Sequence, residues 1–414
     1  MKARAQYCHD KPNFGGAYFL KESFTLALAV ALNVIFAPRI RGENHVDYRY
    51  ADYREDNDRM YIETHGLLFD TTLKEGLLAV KGELVRDAVS GATPSGAPPP
   101  AKWTFIPGIP PIGNPNSRAV PVTTLAPDLR YGGSLEVPIT LGIHSIRPQG
   151  SYSSENDYWS TGAALNYAVA LNEKNTTLTF GWAHTWDRVL DGQPTRHIQD
   201  KSGDDFLAGF NQLLGPQTVL GVNFTYGIAK GYLDDPYRLT FGVNDLQLDT
   251  GNPAGMGERR PDHREKFIAR VSITQFITPV KASVEGAYRY YHDSFGIDAH
   301  TIELAWHQKI GKRVVISPNF RYYYQTAADF YYEILPGDPV TDPSSPLPRY
   351  FSPDYRLSKL QTISAGINAT VNVTKWLALD ATYKRYLMQS LDGVTSQSAY
   401  PSANAFTLGA RFIF

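Results

Sequence analysis

Asn404-Ala405-Phe406-Thr407-Leu408-Gly409-Ala410-Arg411-Phe412-Ile413-Phe414 is the stretch on which the fold turns. In an extended chain successive side chains point to opposite sides, so Phe406, Leu408, Ala410, Phe412 and Phe414 share one face while Thr407, Gly409 and Arg411 share the other. A helix would scatter these apolar residues around its circumference. The segment therefore reads as a strand with one apolar face and one face that accepts glycine and a cation.

The same period of two runs back through the chain. Leu220, Val222, Phe224 and Tyr226 oppose Gly221, Asn223 and Thr225, and Val280, Ala282, Val284, Tyr288 and Tyr290 oppose Lys281, Ser283, Glu285 and Arg289. Ile363, Ala365, Ile367, Ala369, Val371 and Val373 oppose Thr362, Ser364, Asn368, Thr370 and Asn372. Leu377, Leu379, Ala381 and Tyr383 oppose Asp380, Thr382 and Lys384. About sixteen such segments can be drawn, near 46–54, 61–71, 77–88, 128–139, 142–153, 157–171, 176–188, 203–213, 218–229, 262–276, 280–292, 297–309, 313–325, 357–373, 376–389 and 403–414.

The connections between them sort by parity. Even-numbered ones are tight, as at Lys74-Glu75-Gly76, Gly215-Pro216, Thr278-Pro279, Gly311-Lys312 and Thr374-Lys375. The long stretches 89–127, 189–202, 230–261, 326–356 and 390–402 are all odd-numbered. Alternation alone would also suit a soluble sandwich, which buries one apolar face. A sandwich, however, has no reason to sort its loops by length, whereas an outer-membrane barrel has short periplasmic turns and long outer loops. The expected fold is all-β: a transmembrane antiparallel up-and-down β-barrel of about sixteen strands, within roughly 14–18.

Composition agrees. No uninterrupted apolar run reaches the ~18–20 residues of a spanning helix, yet 26 Tyr, 20 Phe and 6 Trp accompany 34 Gly and 28 Pro in 414 residues. Aromatics with many turn-formers suit a protein of many strands. Trp182, Trp186, Tyr288, Tyr290, Trp306, Tyr322 and Tyr324 fall near segment ends on the apolar face, where interfacial girdles sit. A formal net charge of −1 gives no electrostatic reason to expect nucleic acid as a partner. The single cysteine, Cys8, excludes a disulfide framework or a cysteine-based metal site.

Phe24 to Phe36 (FTLALAVALNVIF), flanked by Lys2, Arg4, Lys11 and Lys21, has the length and charge of an export signal. Residues 1–42 are read as the export region and 43–414 as the barrel, although Ala37-Pro38 and Gly42-Glu43 are imperfect cleavage sites. The competing reading of the apolar stretch is a short buried helix or anchor.

The polar face then lines an interior that a barrel of this width leaves aqueous unless something fills it. It carries Asp47, Arg49, Lys266, Arg270, Lys281, Glu285, Arg289, Glu303, His307, Arg321, Asp380, Lys384 and Arg411. Such charges either steer solutes or simply solvate and brace the inner wall. The Pro- and Gly-rich stretch within 89–127 (SGATPSGAPPPAKWTFIPGIPPIGNP) is stiff enough to fold inward as a constriction or to lie outside as a lid. Signatures of catalysis or nucleotide binding are absent, so neither an enzyme nor a cofactor or metal is expected. Glu55-Asp56-Asn57-Asp58 lacks the spacing of a calcium loop and reads as a solvated hairpin tip. His184 and His300 fall among girdle aromatics.

The closing segment resembles the last strand of bacterial outer-membrane proteins, whose terminal aromatic is read by the assembly machinery. Phe412 and Phe414 are the expected assembly signal. Glu43-Asn44-His45-Val46-Asp47-Tyr48-Arg49-Tyr50, Asp52-Tyr53-Arg54-Glu55-Asp56, the 90–99 stretch SGATPSGAPP, Leu171-Asn172-Glu173-Lys174-Asn175-Thr176-Thr177-Leu178-Thr179 and Gly231-Tyr232-Leu233-Asp234-Asp235-Pro236-Tyr237-Arg238 together resemble the bacterial family catalogued as domain of unknown function family 3570. The resemblance implies an outer-membrane barrel and brings no catalytic residues.

The leading expectation is a porin-like channel or transport component for small solutes in the bacterial outer membrane. Its partners would be outer-membrane lipid, the barrel-assembly machinery and a small solute or another protein. The alternatives are an outer-membrane enzyme acting on lipid or peptide, and a structural or partner-docking barrel that sheathes another protein. No plug-sized segment precedes the first alternating segment, which weighs against a TonB-dependent receptor.

Overall fold

The computed structural model describes residues 44–74, 76–103, 114–192, 196–246 and 255–414. The expected export region lies outside them. Period-two alternation builds β1 (His45–Glu55), β2 (Met60–Lys74), β3 (Leu78–Pro94), β4 (Val122–Glu136, resuming at Ile139–Leu141), β5 (His144–Ser154), β6 (Tyr158–Leu171), β7 (Thr176–Leu190) and β8 (Ile198–Gly215). The second half follows as β9 (Thr218–Gly231), β10 (His263–Ile277), β11 (Ala282–Asp293), β12 (Asp298–Ile310), β13 (Val314–Gln325), β14 (Leu360–Asn372), β15 (Leu377–Ser390) and β16 (Ser402–Ile413).

Each strand pairs antiparallel with its neighbours in the chain, and β1 also pairs with β16, so the sheet closes as a sixteen-stranded barrel. The break in β4 falls at Val137-Pro138, where proline has no N–H to give the ladder. The neighbours keep contact across it: the Ala79 amide donates to the Pro138 carbonyl at 3.0 Å, and the Val137 amide to the Pro148 carbonyl at 3.0 Å. Among the described residues no helix is long and apolar enough to cross a membrane, which says nothing of a barrel.

Cα partners in a ladder share a face, so the register fixes both faces of the wall. Asp47 opposes Arg411 across the seam, Arg270 opposes Arg289, and Glu303 opposes Arg321. The alternate residues form an apolar outer face. Leu165, Phe180, Phe206, Phe224, Ile273, Leu304, Ile367 and Leu408 are each between 40% and 55% exposed there. Leaving that much aliphatic and aromatic surface in water would be an aggregation hazard, whereas hydrocarbon covers it at no cost.

One end of the barrel carries only turns: 75–77, 142–143, 172–175, 216–217, 278–281, 311–313 and 373–376. The other carries 95–121, 191–197, 232–262, 326–359 and 391–401 together with three tight connections. Strands run past their expected ends on this side. β3 continues to Pro94 and β4 begins at Val122, so the loop read as 89–127 shortens to 95–121. β8 begins at Ile198 rather than near 203.

The buried core of the protein lies at this loop-bearing end. Phe295, Ile297, Ala328, Phe330 and Leu357 form one cluster, on which Tyr291 and Tyr323 pack. Leu360, Met388, Ala399 and Tyr400 form a second, with Tyr323, Tyr355 and Tyr386 against it. Tyr291, Tyr323 and Tyr386 lie on the face shared with Arg289 and Arg321, so the loops fold over the inner wall at the mouth. In a third cluster Ala97 packs on Phe241 and Leu246, with Trp103 alongside. The described part of the Pro-rich loop thus takes part in the inward assembly, with Pro98 fully buried.

Candidate functional site

The charged positions read from the sequence, Lys281 apart, gather on the inner wall. Of the charged positions read from the sequence, Asp47 and Arg411 pair in bidentate fashion at 2.8 and 2.7 Å across β1 and β16. Lys266 lies 3.6 Å from Asp205. Arg270 stands 3.6 Å from both Glu285 and Glu303, and Arg321 stands 3.4 Å from Glu303, so four side chains on β10–β13 form one band of alternating sign. Arg49 and Asp380 flank Gly409 from either side, and Lys384 shares their face. His307 bonds the Ser317 hydroxyl at 2.9 Å.

Lys281 is a correction. It is not on a strand face but in the turn after Thr278–Val280, with φ of 53°, because the tight connection uses a left-handed residue just before β11 begins. Phe412 lies on the outer face opposite Val46 and Leu377, and the Phe414 amide donates to the Asn44 carbonyl at 2.9 Å. The girdle aromatics also lie on the outer face. The His184 ring lies tilted with its centroid 4.3 Å from that of Trp186, and the Tyr288 hydroxyl meets His300 Nδ1 at 2.7 Å.

Above the inner wall the loops hold a group of buried charges. Asp354 is fully buried, and Arg260 reaches it at 2.9 Å. Arg356 binds it through Nε at 2.9 Å, and Arg238 lies 3.9 Å away. Burial opposes the Asp354 charge, but Arg356, Arg238 and Arg260 outweigh it and hold the carboxyl well below the usual carboxylate range. Arg356 also pairs with Asp235. Glu258 is buried beside Arg260 and accepts from the Ser352 hydroxyl. Burial pushes its carboxyl up to about 7, although Arg260 pulls the other way.

These loop residues carry no periodicity, so alternation could not find them. Their one trace in the sequence is the family-like stretch 231–238, since it supplies Asp234, Asp235 and Arg238 to the assembly.

The acidic turn after β1 is tied down as a hairpin tip: Arg59 Nε donates to Glu55 at 2.6 Å and Arg385 to Asp56 at 2.6 Å. A different acidic set, Asp128, Glu155 and Asp157, brings carboxylate oxygens within 4.8 Å of one another. Arg130, Asn156 and Tyr237 already serve those carboxylates.

An apolar outer face, a charged inner wall and loops gathered at one mouth define a β-barrel of the outer-membrane class. The chain belongs to the family described as "Protein of unknown function (DUF3570)", whose model matches residues 25–197 and 191–414. No curated protein sequence matches it. Among solved structures it is similar to CdiB from Acinetobacter baumannii, with a TM-score of 0.50 at 8% identity over 90% of this chain and 61% of that one. It is also similar to the siderophore receptor PirA from Pseudomonas aeruginosa, with a TM-score of 0.42 at 10% identity over 90% of this chain and 62% of that one. A bacterial polysaccharide outer membrane secretin gives a TM-score of 0.45 at 8% identity over 91% of this chain and 100% of that one. The chain thus spans about three fifths of the length of the first two. At such identities the likeness concerns the fold alone.

Proposed function

We propose that the chain is a Gram-negative outer-membrane pore or transport component for small solutes. The turns would face the periplasm and the loop assembly would form a constricted outer mouth. The observation that carries this reading is the two-signed charge band Arg270, Glu285, Glu303 and Arg321 on the face opposite the apolar one. Charges there cost little beside water and a few kcal/mol each against hydrocarbon, which supports reading that face as the wet side of the wall. About sixteen strands enclose a lumen wide enough for water. On this reading the chain has no catalytic machinery of its own, and its partners are outer-membrane lipid, the assembly machinery and the solute.

The test is single-channel conductance of the refolded protein in a planar bilayer under a salt gradient. Stable open steps support the pore, and the sign of the reversal potential tells whether the Lys/Arg or the Asp/Glu set dominates. A folded barrel that never conducts overturns the reading and favours a partner-docking barrel.

A further inference from the structure

Under the loop assembly, against the inner wall, lies a cavity of about 320 Å³. Four arginines line it, Arg260, Arg264, Arg289 and Arg356, with a single acid, Asp354. Three of the four are committed. Arg264 donates to Asp293 at 2.9 Å and to the Tyr291 hydroxyl at 3.0 Å. Arg260 and Arg356 share Asp354, and Arg356 has Asp235 as well.

Arg289 differs. Its ladder partners are Arg270, a like charge, and Thr301, which offers only a hydroxyl. Arg270 is itself taken up with Glu285 and Glu303. The Arg289 Nε is buried with no hydrogen-bond acceptor; the Arg260 Nε likewise makes no hydrogen bond but lies against the Glu258 carboxylate, whereas no carboxylate pairs with the Arg289 guanidinium among the described residues. Other inner-wall cations without a counter-ion, such as Arg49 and Lys384, are exposed and can be solvated. A buried donor without an acceptor is costly, and more so when it is charged.

We propose that this cavity binds a small carboxylate-bearing solute and that Arg289 is its anchor. The planar guanidinium presents two parallel N–H groups, the arrangement that a carboxylate accepts in bidentate fashion. Tyr291, Tyr323, Ile297 and Leu357 wall the cavity and would cover the body of the solute. Both tyrosine hydroxyls are already engaged, Tyr291 donating to Asp293 at 2.6 Å and Tyr323 to Gln325 at 2.6 Å, so the rings are held as walls rather than left to rotate away. The size suits a small organic acid and excludes a polymer.

The proposal rests on the pore reading for access to the cavity. It is therefore tested by binding rather than by conduction, so that the two fail separately. The experiment is isothermal titration calorimetry on the full refolded chain in detergent, with benzoate, neutral benzamide and inorganic phosphate as probes. Saturable benzoate binding without benzamide binding is expected. Arg289→Gln should weaken it at least about tenfold, and Arg289→Lys, which keeps the charge but not the fork, by less. Arg188→Gln, which lies outside the cavity lining and pairs with Asp200, should leave it unchanged. Heat-modifiable migration shows whether each variant has folded, and the wild-type titration and Arg289→Lys decide the matter if Arg289→Gln does not fold. Absence of saturable benzoate binding in the wild type, or wild-type affinity in Arg289→Gln, overturns the proposal. So does phosphate binding that depends on Arg289 while benzoate does not bind.

Discussion

Asp354→Asn removes a charge from the centre of the loop assembly while keeping its shape. The Asp354 side chain is 1% exposed, and the change takes one of two carboxylates from each of Arg238 and Arg260, which are 4% and 11% exposed and keep Asp235 and Glu258 respectively. Removing one partner of a buried ion pair costs about 3–5 kcal/mol. Arg356 is half exposed and keeps Asp235, which argues for the lower end, about 3 kcal/mol. At roughly 1.4 kcal/mol per factor of ten, the opened-loop population should rise about a hundredfold.

Native-state hydrogen exchange reads this directly. The Ala328 amide, bonded to the Leu357 carbonyl at 2.8 Å, and the Phe351 amide, bonded to the Arg259 carbonyl at 2.8 Å, report on the loops. Amides in the β13–β14 ladder report on the barrel. The loop amides should exchange about a hundredfold faster with the ladder unchanged. Unaltered loop exchange in a folded variant would refute the assignment of Asp354 as the charge that holds the loops. Equal acceleration in the ladder would refute the separation of loops from barrel.

Two further outcomes follow from the same assembly. The Glu258 carboxyl titrates at about 7 in the folded loops against an ordinary 4.5, so the folded form holds the extra proton. Its contribution is full below about 4.5 and is lost as the pH rises through 7. After correction for intrinsic chemistry, loop amides should therefore open more readily at pH 8 than at pH 5, and Glu258→Gln should flatten that dependence; the opposite slope would contradict the burial of this carboxyl. Gly96 has φ of 102°, and a Cβ there would lie 2.3 Å from the Leu239 carbonyl oxygen. Gly96→Ala should cost about 1–3 kcal/mol locally and expose the Pro-rich loop to protease while the barrel stays heat-resistant, and unchanged cleavage would count against the packing.

All sixteen strands and the sorting of their connections were legible because the wall separates two unlike media, so every residue on it declares a side. Where both faces meet water or loop, nothing remains for the sequence to alternate between. Ile198-Gln199-Asp200-Lys201-Ser202 opens β8 without an alternating apolar face, held by its ladder to β7 and by polar side-chain contacts such as Gln199 to Asp191. Lys281 misled for a related reason: alternation carried one residue too far assigns a face to a turn. The charge band was readable residue by residue, yet its pairing was not, because which acid meets which arginine depends on register between strands. Asp354, Arg356 and Glu258 were invisible to any periodic reading, since their burial comes from loops meeting across the mouth.

The Asp47–Arg411 pair joins residues 364 positions apart in the chain. Every other ladder of the wall links consecutive hairpin arms and can form as those arms arrive. The seam alone must wait for the whole sheet. Loop-closure entropy grows only slowly with chain length, about 0.6 kcal/mol per doubling, so the delay concerns timing more than final stability. Until then β1 and β16 are open edges, each able to recruit a strand from another molecule. A slip of one residue at that junction would turn Arg411 toward the apolar side, away from Asp47. Loss of the pair should therefore appear first as mispaired or aggregated sheet and only second as a weaker barrel.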